Sequence, residues 1–249
     1  MPTSSELEAL LDLLEDYFTD GFRRDRAERE ERGGVPPDAA PGPASDEAVE
    51  ELQRVAEEVS RCTRCPLARS RNRPVAGQGP CRPLVLIVGE GPGAEEDRTG
   101  RPFVGRAGQY LDRWLGAVTV GEAGVALSRE ANTYITNVVK CRPPGNRDPG
   151  PEEIAACMPY LERQVDALAP RAILTLGRVA LHTLTGRTES LGALRGRLYS
   201  YRNVPLIPTY HPSAVLRDIT HTGRQARTRS YVWEDLKRLK ALLENEPVR

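Results

Sequence analysis

The sequence predicts an α/β fold, a three-layer α/β/α sandwich in which helices cover both faces of a central four-stranded parallel sheet. Short, largely apolar runs alternate with helical patterns, and this alternation indicates parallel strands joined by right-handed crossovers. Several runs end at glycine or polar residues, as strands of an open sheet do where they border a pocket. The predicted strands cover residues 84–88, 133–137, 172–176 and 204–209.

Helical spacing of apolar residues predicts the helices. The first starts near Asp46 and runs into Arg61 and Cys62. Pro151 opens a later helix with acidic residues in its first turn, an arrangement that suits the helix dipole. The segment 100–108 is predicted to be a loop that exposes one aromatic side chain, Phe103. The later helices cover residues 110–118, 151–168, 178–185 and 231–243.

Residues 1–45 are predicted to be an appendage to a domain that comprises residues 46–249. Thr3 and Glu6 fit a capping box, and leucine and aromatic residues then recur at helical spacing to about Glu31. The segment GGVPPDAAPGPAS follows and predicts a flexible linker. This N-terminal helix is either a binding site for a protein partner or a dispensable extension, and the sequence leaves both readings open.

Composition limits the class of protein. The chain of 249 residues carries 35 basic and 35 acidic side chains, so any surface for nucleic acid must be local. No run approaches ~18 apolar residues, and the N-terminus lacks a basic-then-apolar signal pattern, so we expect a cytoplasmic protein with no membrane span. In that compartment cysteines serve as metal ligands or free thiols more often than as disulfides.

A glycine-rich turn, GEGPG, follows the first predicted strand and is the centre of the predicted pocket. Its glycines let backbone N–H groups approach a ligand, and Glu90 stands at the lip. The turn matches neither the phosphate-binding P-loop nor the dinucleotide fingerprint. Asn137 and His211 follow the ends of two other strands. Because parallel strands end at one edge of the sheet, we expect these three side chains to share one pocket.

Four of the five cysteines form two pairs that suit one metal site. Cys62 and Cys65 bracket a tight turn, whereas Cys141 and Cys157 come from a loop and the following helix. Four thiolates suit tetrahedral zinc or an iron–sulfur cluster, and the spacing does not decide between them. Cys81 is predicted to be a packed free thiol.

Several motifs in order resemble the family 4 uracil-DNA glycosylases: C-x2-C, GEGPGAEED, GRPFVGRAGQ, TNVVKCRPPGNRDP and YHPSAVLR. The resemblance spans about residues 61–243. It implies a uracil-DNA glycosylase-like fold and an enzyme of base excision repair that hydrolyses the N-glycosidic bond of uracil in single- or double-stranded DNA. It also implies a monomer associated with the nucleoid. The implied cofactor is a [4Fe–4S] cluster, with the ligands Cys62, Cys65, Cys141 and Cys157.

The resemblance also assigns roles to the pocket residues. The turn from Glu90 through Gly91 to Pro92 would cup the uracil and the scissile bond, and Phe103 would stack on the flipped base. The Asn137 amide would read the edge of uracil. The catalytic residues implied are Glu90 and His211, the histidine stabilising the departing base.

Residues after the histidine motif are candidates for contact with DNA. Leu216, an apolar residue in a predicted polar loop, is either a wedge that fills the vacated stack or a core contact. Arg217 and Arg224 would hold phosphates, with a solvated basic loop as the competing interpretation. A related group of glycosylases traps its product through a histidine in an inserted KRRIH loop. The corresponding stretch here, GNRDPGPEEI, lacks it, so turnover is expected.

Two other functions remain open from the sequence. One is a non-catalytic module that binds uracil or DNA without releasing the base. The other is a zinc-stabilised α/β protein that binds a nucleotide. The group that activates water is not identified by any motif.

Overall fold

The structure of the protein is a computed structural model, which describes residues 45–222 and 227–244. The predicted N-terminal helix, nearly all of the linker and Arg224 lie outside the described residues. No helix in the described ranges is long and apolar enough to cross a membrane.

A five-stranded sheet forms the centre of the domain, with strand order β4-β1-β5-β7-β6. Its strands are β1 (Val85–Gly89), β4 (Thr133–Asn137), β5 (Ala172–Leu176), β6 (Tyr199–Tyr201) and β7 (Val204–Thr209). The first four in spatial order are parallel, as predicted. The fifth, β6, is an additional antiparallel edge strand, joined to β7 by Arg202 and Asn203, whose φ angles are 48° and 64°. A separate hairpin pairs β2 (Thr119–Val120) with β3 (Val125–Ala126).

Eight α-helices are described, and most agree with the predicted segments. They are α1 (Asp46–Arg61), α2 (Ala94–Thr99), α3 (Arg106–Ala117), α4 (Pro151–Leu168), α5 (Arg178–Thr185), α6 (Leu191–Leu194), α7 (Pro212–Thr222) and α8 (Arg227–Leu243). Caps fix where several of them begin. The side chain of Ser45 accepts a hydrogen bond from the Ala48 N–H, and Gly150 N–H donates to Glu153 Oε2 at 2.7 Å.

The predicted three layers are confirmed by the two hydrophobic cores on opposite faces of the sheet. Along β1, Val85 and Ile87 pack into one core, with α3, α7 and α8. The alternate residues Leu86 and Val88 pack into the other, with α1, α4 and α5. Strands buried on both faces read as continuous apolar runs, which explains the sequence pattern.

The connections of the sheet leave a crevice at its carboxyl edge. From β1 the chain moves to β4 on one side, and from β5 it moves to β7 on the other. The connections that leave the two central strands, β1 and β5, thus run toward opposite edges of the sheet. Open α/β sheets bind ligands at such a switch point.

Candidate active site

The carboxyl edge of the sheet opens into a cavity of about 580 Å³. Glu90 follows β1, Asn137 ends β4 and His211 follows β7, and all three line this cavity, as the strand positions predict. The remaining residues predicted to bind substrate line it as well: Gly91, Pro92 and Phe103. The structure therefore brings the whole predicted set together.

Two glycines make this close approach possible. A Cβ atom on Gly89 would lie 2.4 Å from Oδ1 of Asn137 and 2.7 Å from Cζ of Phe103. Gly177 has a φ of +90°, and a Cβ there would lie 3.2 Å from Cβ of His211. A side chain at either position would push the lining residues apart, so glycine is required at both.

Asn137 presents an unpaired amide to the cavity. The residue is 1% exposed, and neither Oδ1 nor Nδ2 has a hydrogen-bond partner among the described residues. Its backbone carbonyl is held by Nζ of the buried Lys140 at 2.8 Å, and the same Nζ donates to Thr136 and Gln164. A buried polar group without a partner costs about 1–3 kcal/mol. A ligand with a matching donor and acceptor would remove that cost.

His211 is a neutral imidazole whose free nitrogen carries the proton. Nδ1 accepts a hydrogen bond from the Ser213 N–H at 3.2 Å and lies 2.8 Å from Ser213 Oγ. Because a backbone N–H can only donate, Nδ1 is unprotonated and Nε2 carries the hydrogen. Burial, and secondly the charge of Arg217, lower the pKa of His211 to about 4. At neutral pH the ring can therefore donate one hydrogen bond from Nε2.

Phe103 is buried, at 6% exposure, so the prediction of an exposed side chain is wrong. Its ring centroid lies 5.6 Å from that of His211, with the ring planes inclined by 35°. The ring forms a wall of the cavity rather than a surface group. Sequence alone could not show this, because a loop residue is buried only by the elements that fold over it.

Glu90 lies half-buried at the cavity wall. Burial raises the pKa of its carboxyl group, the charge of Asp148 raises it further, and Arg178 opposes both. Arg178 pairs directly with Asp148 at the rim. The carboxyl group of Glu90 is thus close to one negatively charged and one positively charged side chain.

Glu96 is a cavity residue that the sequence analysis missed. Its Oε1 accepts hydrogen bonds from the N–H groups of Val104, at 2.8 Å, and Gly105, at 3.0 Å. Its Oε2 accepts from the Gly93 N–H at 3.1 Å. The side chain therefore ties the turn after β1 to the loop that carries Phe103. Its position at N3 of α2 is the capping-box signal that could have identified it.

The candidate DNA contacts are only partly described. Arg217 lines the cavity, is exposed and donates to Ser213 Oγ at 3.4 Å. Leu216 was expected in a polar loop, and that expectation is wrong, because the residue lies on α7, half-buried against the core. Pro212 is the first residue of α7, a position that suits proline. Arg224 lies outside the described residues.

The four paired cysteines line a second, smaller cavity, which Cys81 does not line. They are Cys62, Cys65, Cys141 and Cys157. Within residues 45–222 and 227–244, no group of three or more His, Cys, Asp or Glu side chains is placed to hold a single metal ion.

Cationic groups adjoin these sulfur atoms. Arg71 Nη1 donates to Sγ of Cys141 at 3.1 Å. Burial raises the pKa of the Cys157 thiol to about 11, and the backbone N–H and charge of Lys140 partly oppose this rise. Burial likewise raises the pKa of Cys141. Thiolates that ligate iron are negatively charged. Cationic groups and N–H donors beside the sulfur atoms, such as Arg71 and Lys140, stabilise that charge. The residues present therefore fit a thiolate-bound cluster.

Comparison with known proteins agrees with this geometry. Residues 76–237 match the family model of the uracil DNA glycosylase superfamily. The type-4 uracil-DNA glycosylase of Pyrobaculum aerophilum is 47% identical over 175 residues, which cover 67% of this chain and 85% of that protein. That of Thermotoga maritima is 42% identical over 197 residues, covering 78% of this chain and 96% of the relative.

A third type-4 uracil-DNA glycosylase, from Saccharolobus solfataricus, is 38% identical over 208 residues, covering 80% of this chain and 90% of the relative. A type-5 enzyme of Pyrobaculum aerophilum is 34% identical over 164 residues, which cover 61% of this chain. The type-4 relatives are thus similar over more of the chain. The chain belongs to the uracil DNA glycosylase superfamily and, within it, to the type-4 uracil-DNA glycosylases.

Proposed function

We propose that this enzyme flips uracil out of DNA and hydrolyses the bond between uracil N1 and deoxyribose C1′, leaving an abasic site. The observation that carries the proposal is the unpaired, buried amide of Asn137 beside the ring of Phe103 and the Nε2–H of His211. Together they offer a donor–acceptor edge, a stacking face and a donor for negative charge.

Recognition rests on the amide and the aromatic ring. Asn137 accepts from uracil N3–H through Oδ1 and donates to O4 through Nδ2. Cytosine has the opposite pattern at both atoms and would leave the buried amide mispaired. Phe103 stacks on the base, an interaction worth about 1–3 kcal/mol. Flipping costs less at a U·G mispair or in single-stranded DNA, where the base is already unpaired or poorly paired.

His211 acts on the leaving group. As the C1′–N1 bond breaks, its electron pair passes to the uracil ring, and negative charge develops on O2. The Nε2–H of His211 donates a hydrogen bond to that oxygen, like a donor in an oxyanion hole. Water adds its oxygen to C1′, and a proton from that water returns to the uracil anion, so the products are uracil and the abasic sugar. Glu90 lines the scissile bond, where its carboxylate stabilises the positive charge that develops on the sugar.

The DNA strand is held beside the cavity by the exposed guanidinium of Arg217, and Arg224, outside the described residues, is the second predicted phosphate contact. Phosphate contacts of this kind position the strand without reading its sequence. Leu216 fills the vacated stack if α7 shifts it outward, and the observed packing against the core is the competing role. We propose that a monomer acts on uracil-containing DNA, and that residues 1–45 bind a protein partner.

The four paired cysteines hold a [4Fe–4S] cluster in this proposal. A cluster needs its thiolates arranged around a volume rather than converging on one ion, and the shared cavity of Cys62, Cys65, Cys141 and Cys157 suits that arrangement. When bound, the cluster supplies a fixed cross-link between α1, the loop after β4 and α4.

The proposed function is tested by uracil release from single-stranded DNA and from a U·G duplex. We expect free uracil and abasic DNA in equal amounts over several turnovers. Tight binding of uracil-DNA without base release would instead indicate a non-catalytic module. An anaerobically purified protein that contains zinc and no iron would contradict the proposed cofactor.

Replacing Cys62 with serine is expected to remove iron and lower the melting temperature, because one thiolate of the cross-link is lost. Iron content and thermal unfolding measure this effect. Cys81→Ser is the matched control, since Cys81 does not line the cysteine cavity, and it should keep its iron. Full iron content in Cys62→Ser would contradict the assignment.

Protonation of His211 is expected to occur well below neutral pH. Its pKa in the folded protein is about 4, against an ordinary value of 6.5. The unfolded chain therefore binds a proton that the folded protein does not as the pH falls from 6.5 toward 4, so the stability from this group is lost in that range. An NMR titration, with the signal assigned by its absence in His211→Ala, measures the shift. A midpoint near 6.5 would contradict a buried neutral ring.

A further inference from the structure

The backbone of Phe103 has a conformation that bulky residues rarely adopt. Its φ angle is +51°. For a non-glycine residue such a conformation is strained and persists only where the surroundings fix it. Phe103 is also the stacking residue of the proposed function. The groups that hold its backbone therefore determine where the stacking face lies.

Arg129 fixes the peptide groups on both sides of Phe103. Its Nη1 donates to the carbonyl of Pro102 and its Nη2 to the carbonyl of Phe103, each at 3.1 Å. These carbonyls belong to the two peptide planes that flank the Phe103 Cα atom. Because neither plane can turn without breaking a hydrogen bond, the guanidinium group restrains both φ and ψ of Phe103.

Asp112 orients that guanidinium. Nε of Arg129 donates to Asp112 Oδ1 at 2.9 Å, and Nη2 contacts the same oxygen. Arg129 lies in the loop before β4 and is 9% exposed, whereas Asp112 lies on α3. Neither residue lines the cavity. They can therefore act on a ligand only through the loop that they hold.

The opposite side of the loop is also closely held. Glu96 accepts from the N–H groups of Val104 and Gly105, directly after Phe103. A Cβ atom on Gly108 would lie 1.8 Å from the carbonyl oxygen of Phe103, so α3 packs directly on this backbone. Glu96 thus shares with Arg129 the peptide plane between Phe103 and Val104, whereas Arg129 also holds the plane between Pro102 and Phe103, to which Glu96 makes no hydrogen bond.

We propose that Arg129, oriented by Asp112, is a positioning residue that holds the Phe103 ring in place to stack on the flipped base. The proposal rests on the proposed function, because it gives the ring a nucleobase to stack on. Loss of the Arg129 hydrogen bonds lets the peptide between Pro102 and Phe103 turn, and the ring leaves the wall beside His211. Base binding then weakens while the groups that break the bond stay in place.

The position of the ring can be measured without any activity. The chain has three phenylalanines, so protein labelled with fluorophenylalanine gives three fluorine NMR signals, and Phe103→Leu identifies the signal of interest. The fluorine is placed at the ortho position, because the para carbon Cζ and the meta carbon Cε2 both face Gly89 closely. The His211 ring beside it makes the chemical shift sensitive to displacement.

Three variants test the fork: Arg129→Met, Arg129→Lys and Asp112→Asn. We expect the Phe103 signal to move or broaden in Arg129→Met. We expect an intermediate change in Arg129→Lys, since one ammonium cannot donate to both carbonyls in fork geometry. Asp112 is 46% exposed, so Asp112→Asn tests the orientation in a protein that folds even if Arg129→Met does not. Arg163→Met, which breaks two ion pairs between α1 and α4, is the matched control and should leave the signal unchanged.

In uracil release, Arg129→Met should raise the half-saturating DNA concentration about tenfold, with a much smaller change in the maximal single-turnover rate. An unmoved Phe103 signal in folded Asp112→Asn and Arg129→Lys would overturn the proposal. So would an equal fall in rate at all DNA concentrations. If wild-type protein released no uracil, the proposed function would fail, while the fluorine spectra would still decide whether Arg129 places the ring.

Discussion

His211→Ala is expected to slow uracil release in single turnovers by about a hundred- to a thousandfold. The neutral ring, with its hydrogen on Nε2, is the donor placed for the charge that develops on uracil O2. Without the imidazole, that oxygen loses a donor that is already positioned before the charge develops. The half-saturating DNA concentration should change little, since the oxygen gains its negative charge only as the bond breaks and not in bound DNA.

Ser213→Ala is the companion variant for this prediction. It keeps the backbone N–H that fixes the tautomer and removes only the hydroxyl group 2.8 Å from Nδ1. A much smaller loss of rate is expected. Thermal unfolding of both variants should stay close to that of the wild-type protein, and a folded His211→Ala enzyme with unimpaired release would refute the role of the imidazole.

Asn137→Asp is expected to reduce uracil release about a hundredfold or more at neutral pH, because a buried site built to pair with a base rejects a mismatched partner strongly. A carboxylate cannot donate to O4. Burial should raise the pKa of this carboxyl group, and the protonated acid regains one donor. Residual release should therefore rise as the pH falls, and the preference for uracil over cytosine should narrow. Initial rates on matched U and C oligonucleotides over a pH series measure both effects.

Asn132→Asp is the matched control for this second prediction. Asn132 is also buried, at 4% exposure, but its amide bonds to the backbone of Ser128 and Ala126. Its replacement should lower stability without altering base preference. Equal preference for uracil in the wild-type protein and Asn137→Asp would show that another group reads the base.

Much of the sheet was predictable because its long strands appear in the sequence as short, largely apolar runs. The residues of β4, β5 and β7 were predicted with the observed bounds, and the two-sided burial of β1 explains its unbroken apolar run. The edge strand β6 was missed because it has only three residues and lies half-exposed. The hairpin of β2 and β3 is shorter still, and such short pairs take their conformation from tertiary contacts.

The residues of the candidate site likewise fall into two groups, those that the sequence could place and those that it could not. Side chains that follow strand ends, such as Glu90 and Asn137, could be placed together from topology alone. The burial of Phe103 and the roles of Glu96 and Arg129 could not, since each depends on contacts between segments distant in sequence. Leu216 was misplaced because its helix begins at Pro212, within a stretch that reads as loop.

The closeness of Gly89 to the base-reading amide has a consequence for how this enzyme can change its substrate. The cavity wall at that point is main chain. No amino-acid replacement at position 89 can enlarge the cavity, whereas every replacement reduces its volume. Evolution or engineering toward bulkier damaged bases must therefore enlarge the cavity at a lining side chain that can be shortened. Mutational libraries directed at Val179 have room to succeed, and those directed at position 89 should yield only inactive proteins.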